Sequence, residues 1–379
     1  MPDGLAPAFR QKPWAIMLAV NAALMAALVI YKYNTDYPVI QYSYLLATYH
    51  FGFMKRALLG TILALFDDKM RIASVFIIAL SVWLVTMVLF VALFKRTFGL
   101  AGDRLALFIF TFGSPFFFKN FFHTFGFFDI YGCLFAIVVL LIPVNRLFPL
   151  IVSAGCTALV LIHHLHFLLY LPTIAVIATI RFHFLRPLSR IDLVYSVLAA
   201  VPPCAAMLAS AAFGNASVPP DELLNYMRAR ALDPLTFVNI TIWYTSPAGE
   251  LAKTIASLPK NLPRLPVFAA LFALHWPLIR FIGSLYAGIG APAHRMAIGL
   301  GLAGIAAGYI VIFIFVYDYA RWFSSAAVCM ILLMHAMAQL QARAGAPAPS
   351  FARSASARRD LALGWAVTAI PRVGLQIPF

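Results

Sequence analysis

The sequence predicts an all-α, polytopic helical membrane protein with about ten transmembrane helices. Three observations carry that expectation. Hydrophobic residues fill 63% of the 379 positions. Charged residues fill only 11%, against roughly 25% in an ordinary soluble domain. The apolar residues also gather in runs long enough to cross a bilayer. So few charges cannot cover the surface of a soluble globule this size, which excludes a soluble enzyme, a disordered chain, a coiled coil and a secreted disulfide scaffold. The four cysteines, Cys133, Cys156, Cys204 and Cys329, lie inside apolar runs with no ligand or redox spacing. They read as small packing residues.

Taken in order, spans are expected at 13–31, 72–94, 105–118, 128–144, 147–162, 166–181, 191–213, 265–283, 296–316 and 322–341, all within one transmembrane domain over 1–342. The first run, Pro13 to Tyr31, has spanning length and no clear small-residue cleavage site after it, so it reads as a span and not a signal peptide. The third to sixth are short for a hydrocarbon layer of about 30 Å. They read as tight hairpins, with helix ends that stop inside a protein-lined cavity. The remaining runs are long enough to cross.

Lys and Arg set the orientation. With Arg10 and Lys12 in the cytoplasm, the cytoplasmic connections hold Lys95, Arg96 and Arg104, then Arg146, then Arg181, Arg186 and Arg190, then Arg280 and Arg295. Arg343, Arg353, Arg358, Arg359 and Arg372 follow in the tail. That is a majority of the 28 basic residues, and it places both termini in the cytoplasm. The rest leave the outer face basic as well, which orientation alone does not require. With a net charge of +15, this points to an anionic, phosphate-bearing lipid and away from nucleic acid.

Three outer segments are long or unusual. Loop 32–71 is Tyr-rich, and Pro38 to Phe66 is expected to form interfacial or re-entrant helix; the alternative is that 57–66 enters the membrane and inverts all that follows. Loop 214–264 is expected to be a small helical subdomain. Pro219-Pro220-Asp221-Glu222 is one helix start and Ser246-Pro247 followed by Glu250 another. The third is the short turn 317–322. The tail, 343–379, reads as a cytoplasmic flexible stretch rich in Ala, Pro, Ser and Arg, closing on an interfacial helix from Leu361.

Ionisable groups in or near hydrocarbon are costly and so are functional candidates. Asp36 lies just past the first span, where a turn before Tyr37-Pro38 also explains it. Lys55 and Arg56 stand between Gly52 and Gly60. They either snorkel to headgroups or hold a lipid phosphate. Lys119, His123 and Asp129 follow one another in an aromatic stretch, and Asp129 needs a cation partner such as Lys119 or Arg321. Its two readings are an interhelical ion pair and a general base. His163, His164 and His166 are a weak metal signal without further ligand spacing; they suit hydrogen bonding to sugar or phosphate. No metal and no cofactor is expected. Asp318 and Arg321 can pair across one helical turn. Arg321 so held would orient a phosphate.

Gly52-Phe53-Met54-Lys55-Arg56-Ala57-Leu58-Leu59-Gly60, Phe125-Gly126-Phe127-Phe128-Asp129 and 162–172, which opens Ile162-His163-His164-Leu165-His166-Phe167, resemble stretches of bacterial polysaccharide-locus membrane proteins. Across 13–341 the arrangement resembles the GT-C class of integral-membrane glycosyltransferases, with many spans, a long first outer loop and an acidic residue soon after the first span. The chain departs from better-known members in lacking an acidic pair in that loop and a large soluble C-terminal domain.

The resemblance implies a transferase of the bacterial inner membrane. It would take a polyprenyl-phosphate sugar donor and a glycolipid or polysaccharide acceptor at the outer face, among membrane lipids. Asp36 or Asp129 would be the base. Lys55, Arg56 and Arg321 would hold the departing phosphate, and His163 and His164 would orient substrate. A polysaccharide polymerase or ligase of the O-antigen type is a near alternative, and a lipid-linked-sugar transporter or flippase a more distant one.

Overall fold

A computed structural model describes residues 11–35, 38–185, 189–316, 318–346, 349–351 and 356–373. Among these residues the chain is helical, with no strand beyond an isolated bridge between Met70 and Ala231. The α-helices are α1 (Gln11–Thr35), α2 (Val39–Leu46), α3 (Leu58–Ala64), α4 (Ala73–Thr97), α5 (Arg104–Phe112), α6 (Phe118–His123), α7 (Asp129–Leu141), α8 (Phe148–Ile162), α9 (His166–Leu169), α10 (Leu171–Thr179), α11 (Arg190–Phe213), α12 (Pro220–Arg230), α13 (Pro247–Asn261), α14 (Leu265–Leu274), α15 (Trp276–Ala287), α16 (Pro292–Phe315), α17 (Tyr319–Arg343) and α18 (Ala357–Ala369).

Five of them, α1, α4, α11, α16 and α17, are long and apolar enough to cross a membrane. This is the signature of a helical membrane protein. The pair α13–α14 and α15 adds a sixth candidate, bent by 65° at His275. The bend has a local cause. Pro277 sits in the first turn of α15; it has no N–H to bond the Ala273 carbonyl, and its ring crowds that carbonyl, so the helix cannot run straight through from α14.

The other expected spans are shorter or broken. The segment 105–118 is helical only as the nine-residue α5. It stops at Gly113-Ser114-Pro115, where Pro115 removes a donor and restricts Ser114, and helix resumes as α6. Helices α7 and α8 have 13 and 15 residues. At 1.5 Å per residue that is roughly 20 Å of helix, less than the hydrocarbon thickness of about 30 Å. Segment 166–181 divides into α9, α10 and a π-helical turn at Ile180–Phe184.

Helix α17 is the hub. Val328, Cys329, Leu332, Met334, His335 and Ala336 are all wholly buried, the pattern of a helix packed on every side. Helix α11 is its opposite, packed mainly on α8 with Val201 and Leu208 facing outward. Small residues set the closest approaches, as expected where hydrocarbon surrounds the bundle and packing drives helix association. A Cβ on Gly308 of α16 would stand 2.9 Å from the Leu168 carbonyl oxygen.

The two long polar loops fold together into one cap at one end of the bundle. Its core joins Tyr42, Leu46 and Met54 from the first loop to Leu223, Met227, Ile240 and Trp243 from the second. The backbones are stitched across. The Lys55 N–H donates to the Gly214 carbonyl at 2.8 Å, and the Trp243 indole donates to the Lys55 carbonyl at 2.7 Å. Tyr42 donates its hydroxyl proton to the Met70 carbonyl and accepts from the Leu232 N–H. Both expected helix starts are present. Pro220 opens α12 with Asp221 and Glu222 in its first turn, and Ser246 caps α13 by accepting the Gly249 N–H.

The tail helix forms as α18, with one face buried (Asp360, Gly364, Val367, Thr368) and the opposite face (Arg358, Ala362, Trp365, Ala369) exposed. It packs against α1, α5 and α14, with Gly364 against the Trp14 ring.

Candidate functional site

Beneath the cap, four chain segments bring ionisable groups together. Asp129 is the first residue of α7, where an acidic group opposes the positive end of the helix dipole. It is buried, at 3% exposure. Its partner is Arg321 in the first turn of α17, whose Nη1 donates to Asp129 Oδ2 at 3.3 Å. The Arg321 Nε donates to Asp318 Oδ2 at 2.6 Å, and Asp318 also accepts the Arg321 N–H as the cap of α17. The Arg321 guanidinium lies over the rings of Phe127 and Trp322, at 4.3 and 4.8 Å. One cation thus holds two carboxylates in place.

The second cation comes from the cap. Arg56 has φ 65°, the one non-glycine residue with positive φ among those described. This left-handed backbone costs roughly 1–2 kcal/mol in an L-residue. Arg56 Nη1 donates to the Tyr44 hydroxyl at 2.7 Å, and the Tyr44 ring packs on Phe128 at 5.0 Å. Strain of this kind persists where the surroundings over-determine it, often at functional sites. Lys55, next in sequence, turns the other way and donates to Asn215 Oδ1 at 2.8 Å and to the Thr245 carbonyl. Its pKa is lowered to about 8, first by burial and then by the neighbouring Arg56 charge.

The histidines complete the group. His163 ends α8, and the His163 and His164 rings stack at 5.6 Å. His163 also meets the Phe128 ring at 6.3 Å. The His166 Nε2 is bonded to the Phe128 carbonyl at 3.1 Å, so it positions the residue preceding Asp129. Five buried polar atoms of these residues have no hydrogen-bond partner in the protein: Arg56 Nε, Asp129 Oδ1 and the Nδ1 atoms of His163, His164 and His166. Each such atom costs about 1–3 kcal/mol, and native proteins rarely tolerate several together. They supply a cationic donor, a carboxylate acceptor and three imidazole nitrogens. That set can bind an anion and take a proton from a hydroxyl.

No family model, curated protein or solved structure matches the chain. The functional reading therefore rests on the geometry.

Of the candidates from sequence, the structure brings together Arg56, Asp129, His163, His164, Asp318 and Arg321, with Lys55 at the margin. Asp36 lies outside the described residues. His123 ends α6, half-buried. Lys119 does not pair with Asp129. It is fully buried, and its Nζ donates to the carbonyls of Val367, Thr368 and Ile370 at the end of α18. Among the described residues no three His, Cys, Asp or Glu side chains converge as metal ligands.

Sequence reading missed Tyr44, Phe127 and Trp322. The Tyr-rich stretch 42–49 was visible, but nothing in it marks which tyrosine meets Arg56.

Proposed function

We propose that this chain is a membrane glycosyltransferase working at the cap end of the bundle. It takes a sugar carried on polyprenyl phosphate and transfers it to a hydroxyl of a glycolipid or polysaccharide. The observation that carries this reading is the convergence of Asp129, Arg56, His163 and His164, each with an unpaired buried polar atom. Asp129 Oδ1 accepts the acceptor hydroxyl proton as that oxygen bonds to the anomeric carbon. The bond from the anomeric carbon to the phosphate oxygen breaks, and the leaving phosphate gathers charge. Arg56 stabilises that charge, and Lys55, held by Asn215 and the Thr245 carbonyl at the margin, adds its positive field. Arg321 is committed to two carboxylates and two rings, so its role is to hold Asp129 in place. His163 and His164 bond sugar hydroxyls or phosphate oxygens.

The same proposal places the cap on the outer face of a bacterial inner membrane with both termini cytoplasmic, in line with the distribution of Lys and Arg. The broken pair α5–α6 and the shorter helices α7, α8 and α10 bring the six longer candidates to about ten crossings.

The test is surface glycan in cells carrying Asp129→Ala or Asp36→Ala at normal protein levels. Loss of glycan in Asp129→Ala supports Asp129 as base. Unchanged glycan in both variants removes the base assignment.

A further inference from the structure

At the end of the bundle away from the cap, the tail is held at three levels. Asp103, just before α5, accepts from the Ser350 hydroxyl at 2.9 Å and the Phe351 N–H at 2.8 Å. Phe351 is buried between the rings of Phe110 and Phe281, at 5.5 and 5.7 Å. One step further in, Asp360 is buried and meets Arg280 Nη2 at 3.3 Å. At the tip, the Lys119 ammonium donates to Val367, Thr368 and Ile370 carbonyls at 3.2, 2.6 and 3.1 Å.

The inner face of the tip, Val367 and Thr368, meets the interior of the bundle, while Trp365 and Ala369 on its outer face are exposed. Lys119 follows Phe118, whose carbonyl accepts from the Trp83 indole at 3.1 Å and whose ring packs on Phe90 at 5.6 Å. Trp83 and Phe90 flank the middle of the 25-residue α4. Helix α18 therefore starts level with the first turn of α5 and ends near mid-depth, a half-span. Among the described residues Lys119 meets no carboxylate. Its three N–H donors are matched to three carbonyls at the negative end of a helix dipole, where the last-turn oxygens lack partners within the helix.

We propose that Phe351 and α18 form a re-entrant plug, inserted from the end opposite the candidate site and latched by Lys119. The plug is a two-state element. Seated, it compensates a buried ammonium. Withdrawn, it leaves that charge bare in the interior, an unfavourable state. Lys119 stands on α6, and the short segment after α6 leads into Asp129. The seat is therefore joined to the candidate site through α6 and the segment 124–128 that follows it.

Thiol labelling of the full chain in native membranes tests the plug without reference to any activity. Cys204 is the exposed native cysteine, so Cys204→Ser is the background. In that background Arg359→Cys, at an exposed position, labels readily with a maleimide in opened membranes. Thr368→Cys, at a fully buried position, labels at least tenfold more slowly. Adding Lys119→Met abolishes that protection, and Lys119→Arg keeps most of it. Equal labelling of the two cysteines in the background overturns the plug. Full protection of Thr368→Cys in Lys119→Met overturns the latch. Should Lys119→Met not accumulate, Phe351→Ala with Asp360→Ala loosens the seat from the tail side. Retained protection there overturns the proposal equally.

Discussion

Arg321 and Arg56 divide between them the work that cations do at the candidate site. Arg321 touches Asp129, Asp318, Phe127 and Trp322. Arg321→Met would leave two carboxylates without a counter-charge, one of them buried. Removing one partner of a buried pair costs about 3–5 kcal/mol, so this variant should lose thermal stability as well as activity. Arg56 behaves differently. Arg56→Gly relieves left-handed backbone and removes a side chain whose Nε is unpaired. Its thermal stability should stay within about 1 kcal/mol of the parent, while any phosphate-dependent activity collapses. Thermal unfolding of the two variants in detergent checks the contrast. Equal destabilisation would contradict it.

Lys55 carries the pH dependence. Its pKa is lowered to about 8 by burial and then by Arg56, with Glu250 opposing and Lys253 adding to the fall. The folded chain thus binds its proton less tightly than the unfolded chain does, so stability attributable to Lys55 rises as pH climbs through 8 toward the ordinary lysine value. Anion affinity runs the other way, since it needs the charged form. Binding of a phosphate-bearing lipid should weaken as pH rises through about 8. Lys55→Arg, which stays charged, should flatten that fall. An unchanged profile in Lys55→Arg would assign the titration elsewhere.

Arg230 adds a charged tie between the two loops of the cap. This buried residue, the last of α12, meets Asp68 at 2.9 Å and donates to the Leu46 carbonyl, both in the first loop. Arg230→Met should part the two loops and expose the seam to proteolysis near Met70, with the long helices intact. Cleavage at the parent rate would show that the apolar cap core suffices.

Each loop was legible by itself in the sequence. Pro220 with Asp221 and Glu222, and Ser246 with Glu250, announce helix starts through capping chemistry. The pairing of the loops was not legible, because backbone carbonyls such as Leu46 carry no side-chain signal. The same holds for Lys119. A cation in an aromatic stretch is conspicuous, but its partners are three carbonyls at a helix end. Asp129, His163, His164 and Arg321 were legible because ionisable groups stand out in apolar surroundings. Tyr44 and Phe127 were hidden among 15 Tyr and 34 Phe.

At the scale of the molecule, the apolar composition resolves, among the described residues, into five helices of spanning length, of which α17 is the most buried. Shorter helices end beneath a polar cap, where the ionisable residues cluster. Among the cations, Arg56 and Lys55 stand at the cap, Lys119 under the tail helix, and Arg280 at the opposite end. If the central claim is right, only the cap cations meet a lipid phosphate. Binding of polyprenyl phosphate to the purified full chain in nanodiscs tests this directly. Arg56→Gly should weaken binding tenfold or more, equivalent to about 1.4 kcal/mol, while Arg280→Met leaves it unchanged. Unaltered binding in Arg56→Gly, or an equal loss in Arg280→Met, would contradict the account.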